Sequence, residues 1–254
     1  MLGTTFFRRG ISAYFIYYYI ILLINFSSAF TRDYGWLIIL TIVGAMLFFA
    51  LFFGLLKRHF LLVVYVINLI IHTYTYPIHH IPQALANLAL LFLFFIPVER
   101  NDPILQSNKV EKINVQIMIA FLGIYYFLSG FKKIFIPEWF SGEFIQLLLQ
   151  NGLYAKNNFI VGIFFEITPI ISMLVLIFEL LYLPLVFTRF RYVVFYGAIF
   201  LQLFIEFTLF VGSFSYLMIA LNLLLVDQNI YRQLQSLRKK FSRASSFLEG
   251  SQKI

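Results

Sequence analysis

Lys132 and Lys133 are adjacent, follow the small pair Ser129-Gly130, and precede Trp139 and Gly142. Two amines at the end of an apolar helix are candidate proton acceptors. Burial disfavours an ammonium, and a neighbouring positive charge disfavours it further. A neutral amine near pH 7 is a competent base. Lys133 is the first candidate catalytic group and Lys132 the second. A plainer reading has both lysines reaching from a helix end to the membrane interface.

Three carboxylates, Glu166, Glu179 and Glu206, fall in strongly apolar surroundings. Lone carboxylates in hydrocarbon are costly and usually face a bundle interior, a cavity or a partner. Glu166 and Glu206 are expected near the level of the lysine pair. Glu179 is expected deeper, toward the opposite end of its span, and so is not the expected partner. An interhelical hydrogen bond or a protonated carboxyl would explain each of the three without chemistry. His72 lies in an apolar stretch, and His79 and His80 are adjacent in the turn that follows. That spacing does not present two ligands on one helix face, so no metal is expected. No strained Gly-x-Ser-x-Gly turn marks a hydrolase, and no glycine loop is placed to cradle phosphate.

The elements that must position these groups follow from composition. The chain has 254 residues, is 61% hydrophobic and only 12% charged, and contains 33 Phe and 16 Tyr. Soluble domains are roughly 45–50% apolar and about 25% charged. A soluble enzyme, a disordered tail and a fibre are therefore excluded, and an all-α polytopic transmembrane bundle is expected. Cysteine is absent, which removes disulfides and thiolate chemistry. A helical span needs about 20 mainly apolar residues. Eight stretches qualify: 11–29, 36–56, 60–76, 82–98, 114–131, 159–187, 192–210 and 213–227. The third and fourth are short and meet at the Pro77–Pro82 turn. Pro169 and Pro184 are expected to kink or end the sixth. The last two are joined by a tight reversal at Val211-Gly212-Ser213.

The net charge of +8 distributes unevenly over these spans. With the N-terminus inside, the cytoplasmic segments hold Arg8, Arg9, Lys57, Arg58, Arg100, Lys109, Lys112, Arg189, Arg191, Arg232, Arg238, Lys239, Lys240, Arg243 and Lys253. The outer segments hold Arg32, Lys132, Lys133 and Lys156. The positive-inside rule sets this orientation, with both termini cytoplasmic. Residues 1–227 form the membrane domain and 228–254 a basic cytoplasmic tail, which reads as lying near anionic lipid and requires no nucleic acid. Segment 132–158 is the exception to the rule. Within it Phe140, Phe144, Leu147 and Leu148 recur at helical spacing. An amphipathic interfacial helix is expected near 138–151, anchored by Trp139 and ended by Gly152.

The run Tyr125-Tyr126-Phe127-Leu128-Ser129-Gly130-Phe131-Lys132-Lys133, followed by Trp139 and Gly142, resembles the small-Gly-x-x-Lys and Trp-x-x-Gly signature of the HTTM family. These are membrane domains related to vitamin K-dependent gamma-glutamyl carboxylase. Leu88 to Pro103, Phe178-Glu179-Leu180 with Pro184 and Arg189-x-Arg191, and Gly212-Ser213-Phe214-Ser215 are similar to further family segments in the same order. The likeness covers roughly residues 8–227. It implies that Lys133 occupies the position of the carboxylase's catalytic lysine, the weak base that deprotonates reduced vitamin K on the lumenal side. It implies a substrate region at Trp139, Gly130, Gly142, Glu166, Glu206 and Gln202, and a reduced vitamin K-type quinone as cofactor. Gln202 stands where many relatives carry a His, and it keeps a hydrogen bond but no titrating proton. No counterpart of the large lumenal substrate domain is expected after the last span. The small sporulation-delaying-toxin maturation proteins are a similar bacterial branch.

Two other readings stay open. One is a non-catalytic accessory for the maturation, secretion or immunity of a secreted peptide. The other is a transporter, which the sparse polar residues and the lack of an internal repeat support less well. The expected partners are the bilayer and a quinone or secreted peptide. The expected location is a bacterial cell membrane.

Overall fold

A computed structural model describes residues 2–29, 35–56, 59–75, 80–94, 108–150, 162, 164–209, 214–226 and 230–236. Among the described residues, ten α-helices precede residue 223. They are α1 (Leu2–Ala29), α2 (Gly35–Phe53), α3 (Phe60–Thr75), α4 (His80–Phe94), α5 (Asn108–Ile134), α6 (Pro137–Ser141), α7 (Glu143–Gln150), α8 (Thr168–Val186), α9 (Arg191–Thr208) and α10 (Phe214–Asn222). A short 3-10 turn, Leu223–Leu225, continues α10, and residues 230–236 are helical.

The apolar residues surround these helices instead of lining one face. On α2 the buried side is Leu37, Thr41, Gly44, Phe48 and Leu51. The opposite side carries Ile39, Met46 and Phe53, each more than half exposed. A surface helix of a water-soluble protein would be polar there. The same holds on α9, where Phe200 and Phe207 are 73% and 68% exposed. Outer faces of this kind suit hydrocarbon. Among the described residues, five helical segments are long and apolar enough to cross a membrane: Thr4–Ile24, Gly35–Phe53, Lys112–Ile134, Thr168–Val186 and Arg191–Thr208. Phe60–Tyr74, Leu85–Phe94 and Phe214–Leu225 are apolar but shorter.

Helix α1 packs on α2 and α10, α3 packs on α4, and α5 lies along α8, which also holds α6 and α7. The α5–α8 contact is close because glycine lines it. A Cβ on Gly130 would lie 2.9 Å from Glu179 Cβ, and one on Gly123 would lie 2.7 Å from Leu183 Cδ1. Small residues let apolar helices approach until backbone meets side chain, which is where dispersion replaces the missing hydrophobic drive.

Two expectations change. The stretch at 159–187 is interrupted at Pro169, as expected, but Pro184 does not end its helix. Helix α8 begins at Thr168 with Pro169 in its first turn and runs through Pro184 to Val186. Proline is tolerated at a helix start because the first N–H groups lack partners anyway. Glu166 consequently sits in the exposed turn before α8, not inside a span. The helix expected near 138–151 is two helices, α6 and α7, broken at Gly142 with φ +79°. Gly152, Pro77, Lys156, the Val211-Gly212-Ser213 reversal and the Arg238–Arg243 run lie outside the described residues.

Candidate functional site

Lys133 occupies the last turn of α5. One turn earlier on the same face is Ser129, and Tyr126 lies seven residues before Lys133. Across the contact, α8 turns Thr168, Ser172, Leu176, Glu179, Tyr182 and Val186 inward. The polar members recur at helical spacing, so an otherwise apolar helix carries a polar stripe on its buried face.

The Lys133 ammonium donates to both oxygens of Glu179, at 2.5 Å to Oε1 and 2.6 Å to Oε2. Ser129 Oγ donates to Glu179 Oε1 at 3.3 Å. The Lys133 side chain is 17% exposed and that of Glu179 is 9% exposed. On its other side the Lys133 nitrogen lies 4.4 Å from the centre of the Trp139 ring. Trp139 is buried and stacks on Phe144 at 4.9 Å. The amine is thus held between a carboxylate and the negative face of an indole, the two neighbours that stabilise a cation away from water.

Local sequence explains how Trp139 reaches that place. Pro137 starts α6, and the Trp139 N–H donates to the Ile136 carbonyl at 3.0 Å. Gly142 then takes a left-handed conformation that L side chains rarely adopt. It also sits against the start of α8. A Cβ there would lie 2.7 Å from the carbonyl carbon of Thr168. Gln146 Nε2 donates to the Phe165 carbonyl at 3.4 Å. The α6–α7 pair therefore docks on α8 through Gly142, and Trp139 is carried over the Lys133 amine. Of the apolar residues at helical spacing, Phe140 and Leu147 are exposed, while Trp139 and Leu149 are buried.

Behind the ion pair is a hydrogen-bonded cluster. Tyr182 OH donates to Asn222 Oδ1 at 2.7 Å, and Asn222 Nδ2 donates to Tyr126 OH at 3.1 Å. Gln202 Nε2 donates to the same Tyr126 oxygen at 3.4 Å. Tyr126 and Tyr182 stack with centres 4.1 Å apart. Four helices meet in this cluster, and all four side chains are buried. On the far side of α1 a second chain runs from Tyr19 OH to Asn68 Oδ1 at 2.9 Å, from Asn68 Nδ2 to Asn87 Oδ1, and from Asn87 to His72 Nδ1 at 3.4 Å.

The residues expected from sequence are distributed as follows. Lys133, Trp139, Gly130 and Gly142 come together. Lys132 is exposed and takes no part in the pair. Gln202 is buried in the tyrosine cluster, two turns of α5 away from Lys133. Glu166 and Glu206, expected near the lysines, are not their partners: Glu166 is exposed, and Glu206 accepts from Tyr216 OH at 3.2 Å. Glu179, placed too deep by the sequence reading, is the partner. The reason is the depth at which α5 ends. Lys133 lies beside a residue eleven positions into α8, about 16 Å from its first turn at 1.5 Å per residue. The α6–α7 pair occupies the height that remains. His79 lies outside the described residues.

The chain matches no protein-family profile, no curated protein and no solved structure. Its function is therefore read from this geometry.

From sequence alone Ser129 reads only as a small residue and Tyr126 only as part of the lysine run, and no role falls to Tyr182 or Asn222. A signal existed for each. Ser129 and Lys133 are four apart, Glu179 and Tyr182 are three apart, and Asn222 interrupts an apolar run. Intramembrane polar residues at helical spacing mark a face turned toward the bundle.

Proposed function

We propose that the chain is a multi-pass membrane enzyme of the HTTM type, in which Lys133 and Glu179 together form the base. The observation that carries this is the Lys133 nitrogen at 2.5 and 2.6 Å from the Glu179 carboxylate, 4.4 Å from Trp139, inside an apolar bundle. Ion pairs are expensive to bury and weak evidence for stability. An intramembrane pair is by default a functional hypothesis.

The pair alters how the lysine would act. Moving one proton over 2.5 Å from Nζ to Oε1 converts ammonium and carboxylate into amine and carboxylic acid. Net charge stays zero, and an apolar setting penalises the neutral pair less than two charges. The amine is then a base with no proton lost to water, and Glu179 keeps the proton until the amine is charged again. Ser129 holds the carboxyl in place, and Trp139 closes the side away from Glu179. Lys132, with its charge in the open, has no such role.

The acid we propose is the hydroxyl of a reduced vitamin K-type quinone, as the resemblance to the carboxylase domain implies; when bound, the quinone would supply that hydroxyl and the electrons for reaction with oxygen. The chain fits such a molecule in one respect. Between α8 and α9 lies an apolar cavity of about 410 Å³ lined by Phe164, Leu174, Phe178, Phe200, Leu201 and Phe204. Phe178 precedes Glu179 on α8, although neither Glu179 nor Lys133 lines this groove. Apolar clefts of a few hundred Å³ are the usual size for ring and isoprenoid ligands.

The proposed arrangement has about eight spans, cytoplasmic termini, a bacterial cell membrane as location and α6–α7 in the outer interface, with 228–254 as a basic tail. The distribution of Lys and Arg supports the orientation within it. Ser141 is exposed, and the chain has no background thiol. In intact cells, Ser141→Cys is expected to react with a membrane-impermeant maleimide. Protection until the cells are opened would reverse the orientation.

Activity is tested in proteoliposomes by oxygen uptake with a reduced naphthoquinone, with and without secreted-peptide substrates. Lys133→Ala and Glu179→Gln are expected to lose turnover and Lys132→Ala to retain it. Equal turnover in all three would end the enzymatic reading. A second reading has a specific observation behind it: both charges of the pair are already satisfied, as a clamp between α5 and α8 would require. In that accessory role, Lys133→Met with Glu179→Leu would restore both stability and function. In the enzyme it would restore stability alone.

A further inference from the structure

Helix α6 is five residues long, Pro137–Ser141, and lies between two breaks in the helical backbone. On the α5 side Ile136 is extended, with φ −114° and ψ 100°. On the α7 side Gly142 is left-handed, with φ +79°. Hinges are a few element-terminal residues of this kind, which absorb a change in backbone torsion. Within α6 only Trp139 is buried, while Glu138, Phe140 and Ser141 are exposed. The helix thus reaches the bundle through one ring.

That ring lies over the Lys133 nitrogen at 4.4 Å and stacks on Phe144 of α7 at 4.9 Å. The α6–α7 pair is held in place by the contact of Gly142 with Thr168 and Pro169 and by the hydrogen bond from Gln146 Nε2 to the Phe165 carbonyl. At 3.4 Å this bond is longer than usual. Beneath the ring is the group the proposed reaction uses. Both oxygens of Glu179 meet the amine from one side and the indole covers the other, which leaves the Lys133 side chain 17% exposed. A substrate hydroxyl approaching that nitrogen has to displace the indole.

We infer that α6 is a gate over the Lys133–Glu179 pair, with Trp139 as its plug and Ile136 and Gly142 as its pivots. The inference deepens the proposed function and rests on it for what the gate admits, the hydroxyl of the substrate. With the ring in place, carboxylate and indole hold the ammonium between them, and substrate and water are kept off it. With the ring withdrawn, the nitrogen is open on the side away from Glu179. Lids of this kind sequester a reaction from water and often set its rate.

The test uses the full chain and separates the gate from the chemistry. Ser129→Cys places a thiol beside Glu179, beneath the plug, in a chain with no other cysteine. Its rate of reaction with a small charged methanethiosulfonate follows the open fraction when opening is fast. Adding Trp139→Ala is expected to raise that rate about tenfold, within the range that loss of a cation–π contact carries. Phe140→Ala, at an exposed position of the same helix, is expected to leave it within about twofold. The opposite perturbation keeps Trp139 and so covers a Trp139→Ala chain that fails to fold. Gln146→Cys and Phe165→Cys, with Ser129 retained, are joined by a short reducible bifunctional thiol reagent, and Trp139 is followed by acrylamide quenching in a Trp36→Phe background. The link is expected to lower quenching and to abolish turnover of reduced naphthoquinone, both restored by reduction. Equal thiol labelling with and without Trp139, unchanged quenching after linking, or full turnover in the linked protein would overturn the gate. Absence of turnover in the unlinked parent would end the enzymatic reading instead, and labelling and quenching would still decide the gate.

Discussion

Breaking the Lys133–Glu179 pair from one side should cost more than removing it altogether. Glu179→Gln leaves an ammonium that is 17% exposed, still over Trp139 but without its anion. Losing one partner of a buried pair costs about 3–5 kcal/mol. Two features reduce that here. The amine is not fully enclosed, and the indole retains about 0.5–2 kcal/mol of cation–π attraction. A loss of about 2–3 kcal/mol is therefore expected for Glu179→Gln, and a similar loss for Lys133→Met. The double variant Lys133→Met with Glu179→Gln leaves no buried charge, and the Gln amide keeps Ser129 as a hydrogen-bond partner, so it should lose only about 1 kcal/mol. The coupling energy of the cycle is then about 3–5 kcal/mol. The assay is unfolding by SDS titration from mild detergent, followed by Trp139 fluorescence in a Trp36→Phe background, because the chain has two Trp. Trp139 lies 4.4 Å from the Lys133 nitrogen and so reports on the pair directly. Additive losses, with coupling under about 0.5 kcal/mol, would show that the pair does not form and would remove the basis for a shared proton.

Gly142→Ala should undock α6–α7 from α8, because the new Cβ meets the Thr168 carbonyl carbon at 2.7 Å and the backbone is left-handed; a loss above about 1 kcal/mol and faster proteolysis within 137–150 are expected, and unchanged cleavage would contradict the docking. Gly130→Ala should push α5 from α8 by its contact with Glu179 Cβ at 2.9 Å and cost about 1–3 kcal/mol, whereas Gly35→Ala, with nothing within 4 Å, should leave the thermal midpoint unchanged; equal effects would contradict the packing. Asn222→Leu strands the Tyr182 hydroxyl and leaves the Tyr126 hydroxyl with Gln202 alone, and a loss of about 1–3 kcal/mol is expected, measured by the same SDS titration; a neutral result would mean the cluster holds little energy.

Much of the scaffold was legible because hydrocarbon imposes a simple rule. Backbone polar groups in an apolar setting must be satisfied within a helix, so apolar runs of sufficient length can be read directly. Each of the eight expected stretches contains a helix, from α1 to α10, although three are shorter than the others. The helix end at Lys132–Lys133 and a separate helix beginning near residue 138 were also visible, because Pro137 acts through local backbone geometry. What α6–α7 would look like was only half visible. Their apolar spacing is continuous, and the left-handed turn that splits them depends on Thr168 and Pro169 pressing against Gly142.

The partner of Lys133 was not legible. Depth along a span was counted from each helix end, which assumes that neighbouring helices end at the same level. Helix α5 stops beside the middle of α8, and that offset brings Glu179 to Lys133 across 46 positions of sequence. The Tyr126, Tyr182, Asn222 and Gln202 cluster has the same origin, because four separate helices supply it. Residue types and periodicity thus determined by themselves that this chain makes apolar helices with a lysine pair at one helix end. The register between helices, set by glycine contacts and side-chain packing between segments far apart in sequence, decided which carboxylate and which ring that lysine meets.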